Sequence, residues 1–83
     1  MINYNGEIVN FSKEVLTVNN RAFKYGDALF ETIKANNLNI HFLEDHYFRL
    51  MASMRMLRME IPMSFTMDFF ENELSKTIQA NNL

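Results

Sequence analysis

The sequence has no cysteine, which excludes disulfide bonds and thiolate metal sites as sources of stability. It has no apolar run near the roughly 20 residues that span a bilayer, and its N-terminus lacks the basic and apolar regions of a signal peptide. The basic residues are scattered and the formal net charge is −2, so the pattern shows no basic surface for nucleic acid. We therefore expect a soluble, cytoplasmic protein that binds neither a membrane nor nucleic acid.

Apolar side chains are abundant for a chain of this size. Its 83 residues are enough for one domain with a marginal core, yet 48% of them are hydrophobic, with eight Phe and seven Met. The excess predicts either a generous core or an apolar surface that contacts a partner. The histidines and acids show no metal-ligand spacing, so no metal site is predicted.

Two stretches near the N-terminus predict short strands. Residues 2–9 hold an Asn5-Gly6 pair between apolar residues, and both residues of the pair tolerate positive φ, which favours a hairpin. Residues 14–18 predict another short strand, followed by a turn at residues 19–20.

A second hairpin is predicted in the middle of the chain. Residues 28–35 and 38–43 alternate between apolar and polar side chains, and Asn36-Asn37 separates them. Asparagine tolerates the left-handed region that a tight turn requires.

Beyond Glu44 the apolar residues follow the helical period. Pro62 is expected to stop this first helix. Ser64 is the predicted N-cap of a second helix, and Asn81-Asn82 is its predicted exit. The apolar stripes of the two helices comprise Leu43, Tyr47, Leu50, Met51, Met54, Leu57 and Arg58, and then Met67, Phe70, Leu74 and Ile78.

The order of these elements predicts an α+β fold. Short N-terminal strands and hairpins come first, and two helices follow them. We expect a small antiparallel sheet with both helices packed on it, because each element must bury one apolar face against another.

Both predicted helices also carry apolar side chains outside their main stripes. A two-layer domain covers only one face of each helix, so these side chains are either scattered surface residues or the contact face for something absent. They are Phe48, Ala52, Met56 and Met59 in the first helix, and Phe65 and Phe69 at the second.

Arg49 is the first candidate for a binding residue. On the predicted helix it shares one polar strip with His46 and Ser53, beside the apolar stripe. A planar guanidinium near the start of a helix suits the paired oxygens of a phosphate. The alternative is an arginine that is solvated or paired at the surface. His46 is interpreted as a residue of the helix start.

Tyr25, Phe30 and Glu31 surround a turn at Gly26-Asp27. Gly26 permits positive φ or a close backbone approach, and the two rings suit the wall of an apolar pocket. The alternative is an ordinary turn followed by a core strand. Glu31 belongs to a site if its face of the strand lines one, and otherwise it faces solvent.

The stretch RAFKYGDALFETIKANNLNIHFLEDHYFRLMASMRMLRMEIP, residues 21–62, resembles the N-terminal domain of the class IV aminotransferases. These form the fold-type IV family of pyridoxal-phosphate enzymes, with branched-chain aminotransferases, D-amino acid aminotransferases and aminodeoxychorismate lyases among them. Four parts carry the resemblance in order: RAFKYGD at 21–27, LFETI at 29–33, the His-x-x-Arg-Leu start of a helix at 46–50, and Ile-Pro at 61–62.

The resemblance implies a role for each matching position. Arg49 matches the arginine that binds the phosphate of pyridoxal phosphate, which is the expected cofactor. Tyr25 and Phe30 match aromatic positions at the substrate pocket, and Glu31 matches a site-facing acid. The implied substrate is an amino acid or an amino-chorismate, and the implied reaction is transamination or the related lyase reaction.

The resemblance also implies what is missing. In the family, the lysine that carries the cofactor covalently lies in a larger second domain, and none of Lys13, Lys24, Lys34 and Lys76 matches it. We expect residues 1–83 to be the small N-terminal domain, with no catalytic residue and no activity alone. The expected partners are the missing large domain and the second subunit of a homodimer.

A stand-alone interaction module is the alternative function. It would bind a partner through the Met- and Phe-rich helix faces. A coding sequence that continues past Leu83 into a lysine-bearing domain favours the enzyme, and a natural stop there favours the module.

Overall fold

The computed structural model describes residues 1–10 and 17–83. The strand predicted at 14–18 therefore lies largely outside the described residues, and residues 17–18 form no strand. None of the helices in the described ranges has the length and apolar character needed to cross a membrane.

The first hairpin is confirmed. Strand β1 (Ile2–Tyr4) pairs antiparallel with β2 (Glu7–Val9), with Ile2 opposite Val9 and Tyr4 opposite Glu7. The turn residues Asn5 and Gly6 have φ of 52° and 94°, and positive φ at both central residues is what a type I′ hairpin turn requires.

A short helix that the sequence analysis did not predict follows the first hairpin region. The predicted turn at residues 19–20 is present, because the Asn20 N–H donates to the Thr17 carbonyl at 2.9 Å. The Asn20 side chain then caps helix α1 (Arg21–Tyr25) by accepting from the Ala22 N–H. Gly26 ends α1 in the left-handed region, with φ of 64°.

The second hairpin forms, but the long strand predicted at 28–35 does not. Only β3 (Ala35–Asn36) and β4 (Asn39–Ile40) pair, and their turn lies at residues 37–38, one position later than predicted. Alternating side chains make a segment compatible with a strand, but a strand also needs a backbone partner. The His41 N–H still donates to the Lys34 carbonyl, but the chain enters a helix at Leu43, so β4 is too short to pair with residues 28–33.

The first long helix, α2 (Leu43–Met56), ends before Pro62 is reached, so the prediction that Pro62 stops it is wrong. Arg58 adopts φ of 55°, and the N–H groups of Arg58 and Met59 donate to the carbonyls of Arg55 and Met54. These two bonds form a Schellman motif, which closes a helix with a left-handed residue.

The second long helix, α3 (Met67–Ala80), begins at Thr66 and not at Ser64, so that prediction is also wrong. The Thr66 hydroxyl accepts from the Phe69 N–H at 3.1 Å, which is the N-cap bond. The predicted exit at Asn81-Asn82 is confirmed.

Aromatic rings join the two long helices. Helix α3 packs against both α2 and β1. The ring of Tyr47 on α2 lies 5.8 Å from that of Phe65 and 5.9 Å from that of Phe70, and the Tyr47 hydroxyl donates to the Phe65 carbonyl at 2.8 Å. Tyr47, Phe70 and Ile78 are buried, as their predicted stripes require.

Polar contacts join α3 to the first hairpin. The Glu73 carboxylate accepts from the Asn3 side chain at 2.8 Å and from Lys76 at 2.8 Å, and Lys76 also donates to the Gly6 carbonyl. The Lys76 hydrogen bond, and then that of Asn3, holds the pKa of Glu73 below its ordinary value.

The α+β class is confirmed. Among the described residues the strands form two separate two-stranded sheets. Of the apolar side chains that lie outside the main stripe of α2, Phe48 and Met56 are 53% and 83% exposed to solvent.

Candidate functional site

The candidate site lies where the segment before β3 crosses α2. Arg49 and His46 are three residues apart on α2, so their side chains leave the same face of the helix. Glu31 belongs to the extended segment that leads into β3, and its side chain meets both of them.

Glu31, His46 and Arg49 form one hydrogen-bonded cluster, which we call the Glu31 cluster. The Arg49 Nε–H donates to Glu31 Oε1 at 2.7 Å, and Arg49 Nη2 donates to Glu31 Oε2 at 2.8 Å. His46 Nδ1 lies 2.8 Å from the same Oε2. The carboxylate is therefore held by a two-pronged guanidinium contact and by an imidazole.

The Glu31 carboxylate requires a proton on Nδ1 of the His46 imidazole. A carboxylate oxygen only accepts, so His46 Nδ1 carries the proton in its contact with Glu31. Arg49 Nη2 lies 3.1 Å from His46 Nδ1, but two donors do not bond to each other. The cluster thus has one acceptor group and two donor groups.

The cluster is closed on one side and open on the other. The Glu31 and His46 side chains are only 13% and 12% exposed, whereas Arg49 is 60% exposed. The Arg49 hydrogen bond, followed by that of His46, lowers the pKa of Glu31 from 4.5 to about 2. The same bond raises the pKa of Arg49.

Arg49 keeps one edge of its guanidinium available. Glu31 uses the edge formed by Nε and Nη2. A guanidinium has five N–H donors, so three remain on Nη1 and Nη2, and Nη1 makes no hydrogen bond within the described part of the chain. This edge suits two oxygens of a phosphate or carboxylate.

A second arginine ties the same segment to the other end of α2. Arg21 pairs with Asp27, and its Nη2 donates to the Leu57 carbonyl at 2.7 Å. The segment from Asp27 to Glu31 is thus attached near both ends of α2, which fixes the position of the Glu31 carboxylate.

The structure brings Glu31 and Arg49 together but leaves Tyr25 and Phe30 outside the cluster. Tyr25 is 73% exposed and has Lys24 above its ring at 5.6 Å. Phe30 is 87% exposed, and neither ring lines a described cleft. Their roles at a substrate pocket remain predictions.

His46 is the cluster member that the sequence analysis missed. The sequence predicts only a helix-start role for it, although its spacing from Arg49 places both side chains on one face of the helix. Ser53, on the same strip, is not part of the cluster within the described residues.

A cleft of about 560 Å³ is separate from the Glu31 cluster. It lies between the first hairpin and α3, and Phe65, Phe69 and Phe70 contribute its apolar lining. None of the three cluster residues lines this cleft, so the cleft is not part of the Arg49 site.

Comparison with known families defines the class of protein. A model of the amino-transferase class IV family matches residues 28–83, which is more than half of the chain and includes Glu31, His46 and Arg49. The chain belongs to the class IV aminotransferase family. No solved structure matches it.

Proposed function

We propose that this chain supplies the phosphate-binding arginine of a pyridoxal-phosphate site in an aminotransferase or a related aminodeoxychorismate lyase. The observation that carries the proposal is that the Arg49 side chain is held by two hydrogen bonds to Glu31 and is still 60% exposed. Family membership supports the cofactor, because class IV aminotransferases are generally pyridoxal-phosphate-dependent.

The residues present fit one end of the cofactor. A phosphate needs cationic donors, and the free edge of Arg49 offers three N–H groups. Glu31 orients the guanidinium and balances its charge, while His46 holds the second carboxylate oxygen. Pyridoxal phosphate, when bound, supplies an electron sink for reactions at the α-carbon of an amino acid.

The covalent attachment of the cofactor is proposed to come from a second domain. Lys76 is engaged with Glu73 and the Gly6 carbonyl, and Lys24 lies over Tyr25. Neither lysine contacts the Glu31 cluster within the described residues. We therefore expect no turnover by the isolated chain.

Tyr25 and Phe30 are proposed as substrate contacts in the complete site. Both rings are exposed, so they can contact an amino-acid or amino-chorismate substrate when the second domain covers them. Exposed apolar residues of α2, Phe48 and Met56, are proposed to contact the large domain or the second subunit of a homodimer. The cytoplasmic location stays a prediction.

Binding of pyridoxal phosphate to three purified proteins tests the role of Arg49. The proteins are the wild type, Arg49→Gln, and the matched control Arg55→Gln, which removes another exposed arginine of α2. A charge-assisted hydrogen bond contributes about 1.5–3 kcal/mol, so Arg49→Gln should weaken binding roughly tenfold or more. Arg55→Gln should bind like the wild type, and pyridoxal without phosphate should bind more weakly.

Equal affinities for Arg49→Gln and Arg55→Gln would contradict the proposal. So would the absence of any binding by the wild type in the millimolar range. A stoichiometric borohydride-trapped lysine adduct that accompanies turnover would contradict the separate expectation that the isolated chain is inactive.

A further inference from the structure

Arg21 connects the segment before β3 to the C-terminal end of α2. Its Nε–H donates to the Asp27 carboxylate, and its Nη2 donates to the Leu57 carbonyl at 2.7 Å. Leu57 is the C-cap of α2, where the last carbonyls have no partner within the helix. A guanidinium at this position also interacts favourably with the negative end of the helix dipole.

The backbone at Gly26 brings Asp27 back to Arg21. Gly26 has φ of 64°, and its N–H donates to the Ala22 carbonyl at 2.9 Å. A left-handed residue of this kind ends a helix and turns the chain away from the helix axis. Asp27 therefore meets the arginine that begins α1.

The two acids of the segment are spaced like their attachment points on α2. Asp27 and Glu31 are four residues apart in extended backbone, a distance of roughly 13 Å at about 3.3 Å per residue. Arg49 holds Glu31, and Leu57 holds Asp27 through Arg21. These two positions are eight residues apart along the helix, or roughly 12 Å at about 1.5 Å per residue. Both ends of the segment can thus be attached without stretching either contact.

The contact between Glu31 and Arg49 gains from an attachment at the other end of the segment. Residues 27–33 make no backbone hydrogen bond within the described part of the chain. The Arg49 side chain is 60% exposed, and an exposed ion pair loses much of its energy to the ordering of its side chains. A carboxylate that is already held in position lowers this entropic cost.

We propose that Arg21 is a positioning residue for the phosphate site, because it ties Asp27 to the end of α2 and thereby holds Glu31 against Arg49. Arg21 makes no contact with the Glu31 cluster within the described residues, so its effect passes through residues 27–31. Its effect on phosphate affinity rests on the function proposed above, whereas its effect on Glu31 does not.

The first readout is the Glu31 cluster itself, followed by NMR in Arg21→Gln and Asp27→Asn. In both variants the pKa of the Glu31 carboxyl should rise from about 2 toward its ordinary value, and the Arg49 Nε–H should exchange faster. Lys24→Gln is the matched control, since it removes the other basic side chain of α1, and it should behave like the wild type.

The second readout is the affinity for pyridoxal phosphate. Arg21→Gln and Asp27→Asn should each weaken binding several-fold, whereas binding of pyridoxal, which lacks the phosphate, should not change. The double variant should bind no more weakly than either single variant, because removal of one partner already releases the segment. Lys24→Gln should bind like the wild type.

Urea unfolding separates positioning from a general loss of stability. A variant that is only less stable keeps the wild-type Glu31 titration midpoint and Arg49 Nε–H exchange in its folded fraction. Asp27→Asn preserves the shape of the side chain and the contact of Arg21 with Leu57, so it provides the test even where Arg21→Gln does not fold.

Wild-type values of both NMR readouts in the folded single variants would overturn the proposal. Unchanged affinity for pyridoxal phosphate in these variants, together with weak binding by Arg49→Gln, would overturn the role of Arg21 and support the proposed function. Absence of binding by the wild type, together with the expected changes at Glu31, would contradict the proposed function and support the positioning of Glu31 by Arg21.

Discussion

At the scale of single residues, the decisive arrangement is an acid that faces inward between two exposed side chains. Glu31 is largely covered, while its neighbours Phe30 and Thr32 are exposed. A covered carboxylate is costly unless it is paired and hydrogen-bonded. Arg49 and His46 supply both, so the Glu31 cluster explains why a glutamate occupies the covered face.

The Glu31 carboxyl gives a pH prediction with a definite sign. Its pKa in the folded chain is lowered to about 2 from 4.5. The group therefore contributes its stability above pH 4.5, and that contribution is lost as the pH falls from 4.5 through about 2. The 13C chemical shift of the Glu31 carboxyl should titrate near pH 2.

Two variants separate the guanidinium effect from general acid denaturation. Arg49→Lys removes the two-pronged contact, so the pKa of Glu31 should rise toward its ordinary value. Arg55→Lys should leave it unchanged. Between pH 4.5 and pH 2, Glu31→Gln should lose less stability than the wild type. A wild-type Glu31 midpoint near 4.5 would show that the cluster does not form in solution.

The sequence predicted part of this site. The family resemblance implies a role for both Arg49 and Glu31, and the polar strip on the predicted helix separately indicates Arg49. Their contact was not predictable from periodicity, because residues 31 and 49 meet only after the segment before β3 crosses α2. His46 was missed because histidine at a helix start has an ordinary local explanation.

At the scale of elements, local sequence signals predicted some turns, helices and strands correctly and missed others. The Asn5-Gly6 turn was predictable because one residue pair determines the turn type. Helix α1 was missed because its five residues, Arg21–Tyr25, are too few to show a period. The strand at 28–35 was overpredicted because alternation reports exposure and says nothing about a pairing partner.

The start of α3 gives a matched pair of substitutions. Thr66→Ala removes the hydroxyl that accepts from Phe69 N–H, so it should lower the free energy of unfolding by about 0.5–2 kcal/mol. Ser64→Ala should change it by less than about 0.5 kcal/mol, because Ser64 is exposed and lies outside the cap. Urea unfolding measures both. A larger loss of unfolding free energy for Ser64→Ala than for Thr66→Ala would show that Ser64 is the N-cap, as the sequence predicted.

At the scale of the whole molecule, the α+β class was predictable and the division of the strands was not. The order of strands and helices indicated the class. The two hairpins remain separate sheets in the described residues, because the intervening segment 27–33 makes no ladder bonds. The core likewise buries only part of the apolar side chains, since Phe48 and Met56 remain exposed on α2.

Exposed apolar side chains on one helix face predict self-association of the isolated chain. Sedimentation velocity should show a concentration-dependent increase in mass. The double substitution Phe48→Lys and Met56→Lys should reduce it, because both residues lie on the same outer face of α2. Met63→Lys is the control, since Met63 is 99% exposed but lies outside the helix. A monomer at every concentration would contradict this expectation.

The most direct test of the account is NMR of the arginine side chains during a titration with pyridoxal phosphate. We predict that the Nη resonances of Arg49 shift as the phosphate binds its free edge. The Nε–H of Arg49, bound to Glu31, should keep its exchange protection, and Arg55 should not respond. Unchanged Arg49 resonances while pyridoxal phosphate binds elsewhere on the chain would contradict the assignment of this guanidinium to the phosphate.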